Sequence, residues 1–320
     1  MDMKILIIAD PLDTLKAAGD TGLAFAQKAL KSQAFVHWCT PKDLSLMSGV
    51  PYVTANPLNP FSPKEQPESD LPEVLRLDSF DTIWVRKDPP FDSIYLSMCW
   101  ILTLVQTKVL ILNSPSHLLH YHEKLLPFLA FQEGDLNEDQ LIPTFLSLGN
   151  KIEGNFGDGQ LVSKPWMGHG GQGVNIHPSL EDLLHKAKTF SEPMMIQPLV
   201  KAVQQTGDRR VFFLEGKYVG SFVRIPQDGS YISNMAQGGS VRSQALTEVE
   251  QKTIHDVENF LIRHSIFLVG IDLLDGKVSE MNITAPTGAF PLLELEQIDL
   301  PQLYFSAVKK RLKEFKSNLK

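Results

Sequence analysis

The sequence Gly270-Ile271-Asp272-Leu273-Leu274-Asp275-Gly276-Lys277-Val278-Ser279-Glu280-Met281-Asn282 reads as a β-hairpin, because runs of apolar and alternating residues flank an Asp-Gly turn signal. Asp272, Glu280 and Asn282 are hard oxygen donors on otherwise apolar strands, and Glu280 and Asn282 share a face by their spacing. Carboxylates side by side repel and lose hydration, so a cation is expected between them. Mg²⁺ suits a few carboxylate and amide oxygens completed by water and phosphate. Register sets a condition. With a plain two-residue turn Asp272 would pair with Ser279 and face away from Glu280. A shared metal therefore requires a loop of odd length, such as a three-residue loop with Gly276 at the αL position of a bulge. The same residues also fit a solvated hairpin with surface acids, and the hairpin alone does not separate the two.

Outward from the hairpin, the 320 residues suffice for two or three domains, and 43% hydrophobic with 21% charged residues is ordinary globular composition. A net charge of −7, with no basic run interleaved with aromatics, counts against nucleic acid as a partner. No signal-peptide pattern and no apolar run of spanning length occurs, so export and membrane insertion are not expected and the cytoplasm is the expected location. Cys39 and Cys99 make neither a disulfide framework nor a metal spacing, and both read as core thiols.

Residues 4–9 form an apolar strand ending at Asp10-Pro11, residues 21–31 carry helical periodicity, and residues 34–38 form a second strand, a βαβ start. No Gly-x-Gly-x-x-Gly follows the first strand, which counts against a dinucleotide site. Six prolines between positions 51 and 72 predict a long irregular excursion. Thr82-Ile83-Trp84-Val85 is a buried strand delivering Arg86-Lys87-Asp88-Pro89-Pro90-Phe91-Asp92 at its carboxyl end, where open α/β sheets place ligands. A helix over residues 94–105 and a strand over 109–112 complete this part, and Glu123-Lys124-Leu125 is read as helical, which by itself would leave Lys124 exposed. Leu161-Val162-Ser163-Lys164-Pro165 precedes Gly168-His169-Gly170-Gly171-Gln172-Gly173, a strand, glycine loop, strand order unlike a Walker or Rossmann motif. Such glycines let backbone amides approach a phosphate, and His169 is either a surface imidazole or a contact within that loop. Residues 194–200 form an apolar strand and connector suited to walling an adenine, or simply a core strand. Gly207-Asp208-Arg209-Arg210-Val211 and Arg224-Ile225-Pro226 bring guanidinium groups close together, which favours an anion between them and points to Arg210 and Arg224 as phosphate contacts. Residues 227–240 are rich in Gly, Ser, Asn and Gln and read as a mobile lid. Thr247 with Glu250 forms a capping box that starts a helix to about His264, and a helix over residues 300–315 ends the chain.

The order of Lys124, Lys164, glycine loop, apolar connector, Arg210, Arg224, then Asp272, Glu280 and Asn282 resembles the ATP-grasp superfamily. More narrowly, nearly the whole chain resembles bacterial glutathione synthetase. The resemblance is carried by Arg86-Lys87-Asp88-Pro89-Pro90-Phe91-Asp92, Gly207-Asp208-Arg209-Arg210-Val211, Arg224-Ile225-Pro226-Gln227, Ala236-Gln237-Gly238-Gly239, Val269-Gly270-Ile271-Asp272 and Glu280-Met281-Asn282-Ile283-Thr284-Ala285-Pro286-Thr287-Gly288. It implies a mixed α/β and α+β fold, with an N-terminal Rossmann-like pre-ATP-grasp domain over residues 1–120 and an ATP-grasp fold in two subdomains, 121–200 and 201–320. By the same resemblance Lys124, Lys164, Gly168, Gly170, Gly171, Gly173 and Asp208 serve ATP. Gln197, Pro198, Leu199 and Val200 line its adenine. Asp272, Glu280 and Asn282 hold two Mg²⁺ ions, with Mn²⁺ as a substitute. Arg210 and Arg224 stabilise the transferred phosphoryl group and the oxyanion, while Arg86, Asp88, Asn234, Gly238 and Gly239 face the peptide substrate. Partners are then small peptide and amino-acid substrates, and a homo-oligomer, dimer or tetramer, is expected.

The implied activity is ligation of γ-glutamylcysteine, or a related γ-glutamyl peptide, to glycine or another small amine through an acyl phosphate, giving ADP and phosphate. The pattern departs from the family after Gly288, where Ala289-Phe290-Pro291 stand in place of an isoleucine, a basic or amide residue and a glutamate, so the amine acceptor stays open. Two other readings remain at this stage: a ribosomal S6 glutamylase-like protein-modifying ligase, which the segment from Arg86 to Asp92 counts against, and a non-catalytic ATP-binding regulator.

Overall fold

A run such as Lys4–Ile8, buried at all but its first position, has no solvent face and must be covered on both sides, as in a central parallel strand. It occupies that place in the computed structural model, which describes residues 3–63, 65–149, 152, 156, 159–227, 231 and 239–319. The first part of the chain runs β1 (Lys4–Ile8), α1 (Thr21–Lys31), β2 (Phe35–Cys39), β3 (Leu44–Met47), β4 (Val50–Pro57), β5 (Glu73–Arg76), β6 (Thr82–Val85), α2 (Ser93–Thr103) and β7 (Leu110–Leu112). Its sheet is ordered β3-β4-β2-β1-β6-β7, with β5 on β4, and the stretch from β2 to β7 is parallel. The chain leaves β1 for β2 on one side and later enters β6 on the other. Asp10, after β1, and Arg86-Lys87-Asp88, after β6, therefore flank a topological switch point, the crevice where such sheets hold ligands.

The irregular excursion expected over residues 51–72 is corrected at its start. β4 carries Pro51, Val53 and Ala55 inward at every second position, and its prolines sit at its second and last positions. Period-two burial there outweighs the missing proline donors.

Next come α3 (Pro115–His120) and α4 (Leu126–Gln132). The helix expected around Glu123-Lys124-Leu125 is absent, because those residues form a turn between α3 and α4. Pro127 is tolerated only in the first turn of a helix, so α4 has to begin after residue 125. The second sheet comprises β8 (Phe145–Ser147), β9 (Leu161–Pro165), β10 (Asn175–His177) and, after α5 (Leu180–Ala187), β11 (Met194–Pro198), in the order β10-β9-β11-β8.

A short α6 (Val203–Thr206) leads to the third sheet: β12 (Asp208–Leu214), β13 (Lys217–Ile225), β14 (Ser240–Arg242), then α7 (Glu248–Arg263), β15 (Leu268–Leu274) and β16 (Lys277–Asn282). Its order is β14-β13-β12-β15-β16, antiparallel throughout. The capping box expected at Thr247 opens α7, with Thr247 N donating to Glu250 at 2.8 Å. Finally α8 (Ala289–Glu296) and α9 (Leu300–Asn318) return the chain to the first sheet, where Tyr304 stacks on Phe25 at 4.2 Å and meets Trp84 edge-on.

Asn113 ties the first and third sheets together. Its amide nitrogen donates to the Leu268 and Ile283 carbonyls at 2.7 and 2.5 Å, and its oxygen accepts from the Phe267 and Leu268 amides. Cys39 and Cys99 are buried free thiols, as expected. Among the described residues no helix is long and apolar enough to cross a membrane.

Candidate active site

The hairpin turns through Asp275 and Gly276, both with positive φ (53° and 76°), and Leu274 pairs with Lys277: a two-residue turn, not the three-residue loop expected. The extra residue lies one step further on. Leu273 pairs with Val278 and Asp272 with Glu280, so Ser279 is the bulge. The bulge restores what an odd loop would have done and sets Asp272 directly opposite Glu280, with Asn282 further along the same strand.

β12 presents alternate residues to its two faces. Arg210 lies opposite Asp272 in the ladder and grips it twice, Nε to Oδ1 at 2.6 Å and Nη2 to Oδ2 at 3.1 Å. Arg224, opposite Asp208, reaches both Asp208 (2.5 Å) and Asp272 (2.8 Å). Two guanidiniums and two carboxylates thus form one buried cluster. Burial works to raise the Asp272 carboxyl, but the positive charges of Arg210 and Arg224 overcome it and hold it at about 2. For Arg224 burial opposes the charge, and Asp208 and Asp272 more than offset it. Gly270 makes room for this: a Cβ there would stand 2.7 Å from Pro286 Cβ and 3.2 Å from Arg210 Nη1.

Two lysines approach from other elements. Lys124, in the turn after α3, is buried, donates to the Gly168 carbonyl and lies 3.9 Å from Glu280. Lys164 on β9 reaches Ser279 Oγ at 3.5 Å; burial lowers its ammonium pKa while Glu280 acts to raise it. The glycine loop joins β9 to β10, as the strand order predicted, with Gly170, Gly171 and Gly173 at positive φ. A Cβ at Gly173 would collide with the Pro165 ring at 2.7 Å, so the loop folds tightly back over its own strand.

These groups wall a cleft of about 1070 Å³. Of the residues singled out from sequence, Asp88, Lys124, Lys164, Gly168, Gly170, Gly171, Gln197, Pro198, Leu199, Val200, Asp208, Arg210, Arg224, Asp272, Glu280 and Asn282 line it. Arg86 does not: it is buried behind the wall, donates to the Pro286 carbonyl at 2.8 Å and lies over the Phe25 ring. Gly173 packs on Pro165 beside the cleft, and Gly239 is not among the lining residues. Asn234, Gly238 and most of the expected lid, residues 228–230 and 232–238, lie outside the described residues. Asp88 is open to the cleft, but its carboxyl is pushed up to about 6, by desolvation first, with Arg86 opposing and Asp10 and Asp20 adding repulsion. His169 also faces the cleft.

Sequence reasoning passed over Glu123, Ser279 and Thr284, which line the same cleft. Their signal was closeness in sequence alone, within two residues of Lys124, Glu280 and Asn282. Among the described residues no cluster of three His, Cys, Asp or Glu side chains is arranged to hold a metal. The donors available are two carboxylates and one amide. Asp272 and Glu280 face each other across the ladder, and Asn282 Nδ2 lies 3.4 Å from Asp272 Oδ2. Such hard oxygens, in a cleft that also holds Lys124, Lys164, Arg210 and Arg224, fit Mg²⁺ bound together with phosphate.

The chain matches the prokaryotic glutathione synthetase N-terminal domain over residues 3–118 and the prokaryotic glutathione synthetase ATP-grasp domain over residues 148–297. Glutathione synthetase of Mesorhizobium japonicum is 30% identical over 320 residues, covering 98% of this chain and 100% of the relative. That of Prochlorococcus marinus subsp. pastoris is 31% identical, covering 97% and 99%. Among solved structures, D-cycloserine synthetase DcsG superposes with a TM-score of 0.64 at 13% identity, covering 96% of this chain and 99% of that one. The D-alanine–D-alanine ligase from Bacillus anthracis complexed with ATP gives 0.61 at 12%, covering 99% of both. At such identities the structural likeness establishes the ATP-grasp fold.

Proposed function

The chain belongs to the prokaryotic glutathione synthetase family and is an ATP-grasp peptide ligase, and on that footing we propose that it joins γ-glutamylcysteine, or a closely related γ-glutamyl peptide, to glycine or another small amine. One observation carries this reading: two lysines, two arginines and the Asp272, Glu280, Asn282 donor set, drawn from different parts of the chain, face one cleft.

The chemistry follows from charge. A carboxylate is a poor electrophile, so ATP first converts it to an acyl phosphate, and the amine then attacks that carbon and expels phosphate. Lys124 and Lys164 hold the phosphates of ATP beneath the glycine loop, while residues 197–200 offer its base a flat, partly apolar wall. Asp272, Glu280 and Asn282 are the residues that would hold Mg²⁺, which when bound neutralises phosphate charge and polarises the transferred group. Arg210 and Arg224 supply the positive field in which the tetrahedral oxyanion forms. Asp88 borders the peptide end of the cleft, where its carboxyl suits an ammonium group. No side-chain nucleophile is required.

The test is phosphate release by the purified protein with ATP, Mg²⁺ and γ-glutamylcysteine, with and without glycine and then with a panel of other amines. Release that requires both the peptide and one amine is expected. Release indifferent to any peptide would sink the reading.

A further inference from the structure

The turn at residues 123–125 was expected to be an exposed piece of helix, and it instead joins the glycine loop at Gly168 to the strand that carries Glu280 and Asn282. β16 is the edge strand of its sheet, and beyond the single bridge of Val278 to Leu141 its outward amides have no partner strand among the described residues. Glu123 supplies an acceptor: its carbonyl accepts from Met281 N at 3.0 Å. Its side chain then reaches past the end of the strand, where Oε1 accepts from both Thr284 N (3.0 Å) and Thr284 Oγ1 (2.8 Å). One residue therefore pins the chain on both sides of Asn282, immediately after Glu280. Its neighbour Lys124 is the residue that donates to the Gly168 carbonyl and faces Glu280.

We infer that Glu123 is a positioning residue of the nucleotide site: it fixes the strand carrying Glu280 and Asn282 against the turn carrying Lys124, without touching substrate itself. The inference rests on the ATP site proposed above. What Glu123 contributes is an acceptor atom. Two donors from Thr284 converge on one oxygen, whereas the charge of the carboxylate is disfavoured by burial first and then by Glu280, with Lys124 only partly opposing them. A glutamine keeps the acceptor oxygen and drops the charge, so it should serve in its place. Alanine removes the acceptor and leaves the Thr284 donors unmatched.

The experiment is calorimetric titration of the full chain with Mg·ADP for wild type, Glu123→Gln, Glu123→Ala and Thr284→Val, alongside kcat and KM for ATP. Alanine is expected to weaken Mg·ADP binding about tenfold or more and to lower kcat. Glutamine should stay within about threefold of wild type, and Thr284→Val, which removes one of the two donors, should fall between. Wild-type affinity in Glu123→Ala, or a Glu123→Gln variant as weak as alanine, would overturn the assignment. If the alanine variant does not fold, wild-type affinity in Thr284→Val overturns it equally. Nucleotide binding needs no peptide. A wild-type chain that binds Mg·ADP but turns over no γ-glutamyl peptide contradicts the ligase reading alone, while one that binds no Mg·ADP overturns both.

Discussion

Arg209 and Arg210 are neighbours on β12, and the pleat sends them to opposite faces with opposite employment. Arg209, 1% exposed, pairs with Glu250 at 2.7 Å and donates to Ser221 Oγ and to the Gln244 and Ala245 carbonyls. Glu250 opens α7, Gln244 and Ala245 lie in the approach to it and Ser221 lies on β13, and none of the four lines the cleft. Arg210 shares Asp272 with Arg224 and lines the cleft. A buried guanidinium is thus no sign of function by itself. What distinguishes the two is the partner set: Arg209 is satisfied by partners that are closed off from the cleft, whereas Arg210 holds a carboxylate that lines the cleft.

The comparison breaks if the two substitutions have similar effects. Arg209→Met leaves Glu250 buried without its cation and should cost about 3–5 kcal/mol of stability, read from urea unfolding, with kcat per folded molecule unchanged. Arg210→Met leaves Asp272 its second cation, Arg224, so stability should fall less. Its kcat for peptide-dependent phosphate release should drop about 10²–10³-fold, the scale of losing one preorganised donor to an oxyanion. A stable, slow Arg209 variant would reverse the roles.

A smaller effect sharpens the contrast at the turn behind the cleft. His122 stacks on Trp166 with ring centroids 3.9 Å apart, and its Nδ1 accepts from Lys124 N at 3.3 Å, which requires the neutral ring. Burial first, then Lys124, lowers its pKa to about 4. As pH falls below the ordinary histidine value the unfolded chain takes up the proton first. Stability attributable to His122 should therefore decline from about pH 6.5 to about pH 4, by on the order of 2 kcal/mol, and be level above that window. His122→Phe, which keeps the stack, should flatten this part of the pH dependence in urea midpoints taken at several pH values. An unchanged slope would show that the ring is not held neutral.

The order of cationic, glycine-rich and acidic segments along the chain was legible because each is a local pattern: a strand that ends in charge, a loop of glycines, a hairpin with oxygen donors. The cap at Thr247 and the positions of α1 and β6 followed for the same reason. Register was not legible. Whether Asp272 meets Glu280 depends on a bulge at Ser279, and serine at that place carries no signature of a bulge. Nor was the employment of Arg86, whose partner is the carbonyl of Pro286, 200 residues away. The turn at Glu123 was misread as helix because Lys124 is a good helix former. The restriction that decided the matter was Pro127, three residues later.

Glu280 is where both lysines converge opposite Asp272, which makes Glu280→Gln the most direct measurement. With ATP, γ-glutamylcysteine and an amine that supports turnover, phosphate release across a Mg²⁺ titration should fall by about 10²-fold or more at every concentration, while the urea midpoint stays at the wild-type value. Activity within tenfold of wild type, with the same Mg²⁺ dependence, would contradict a metal and phosphate site built on this hairpin.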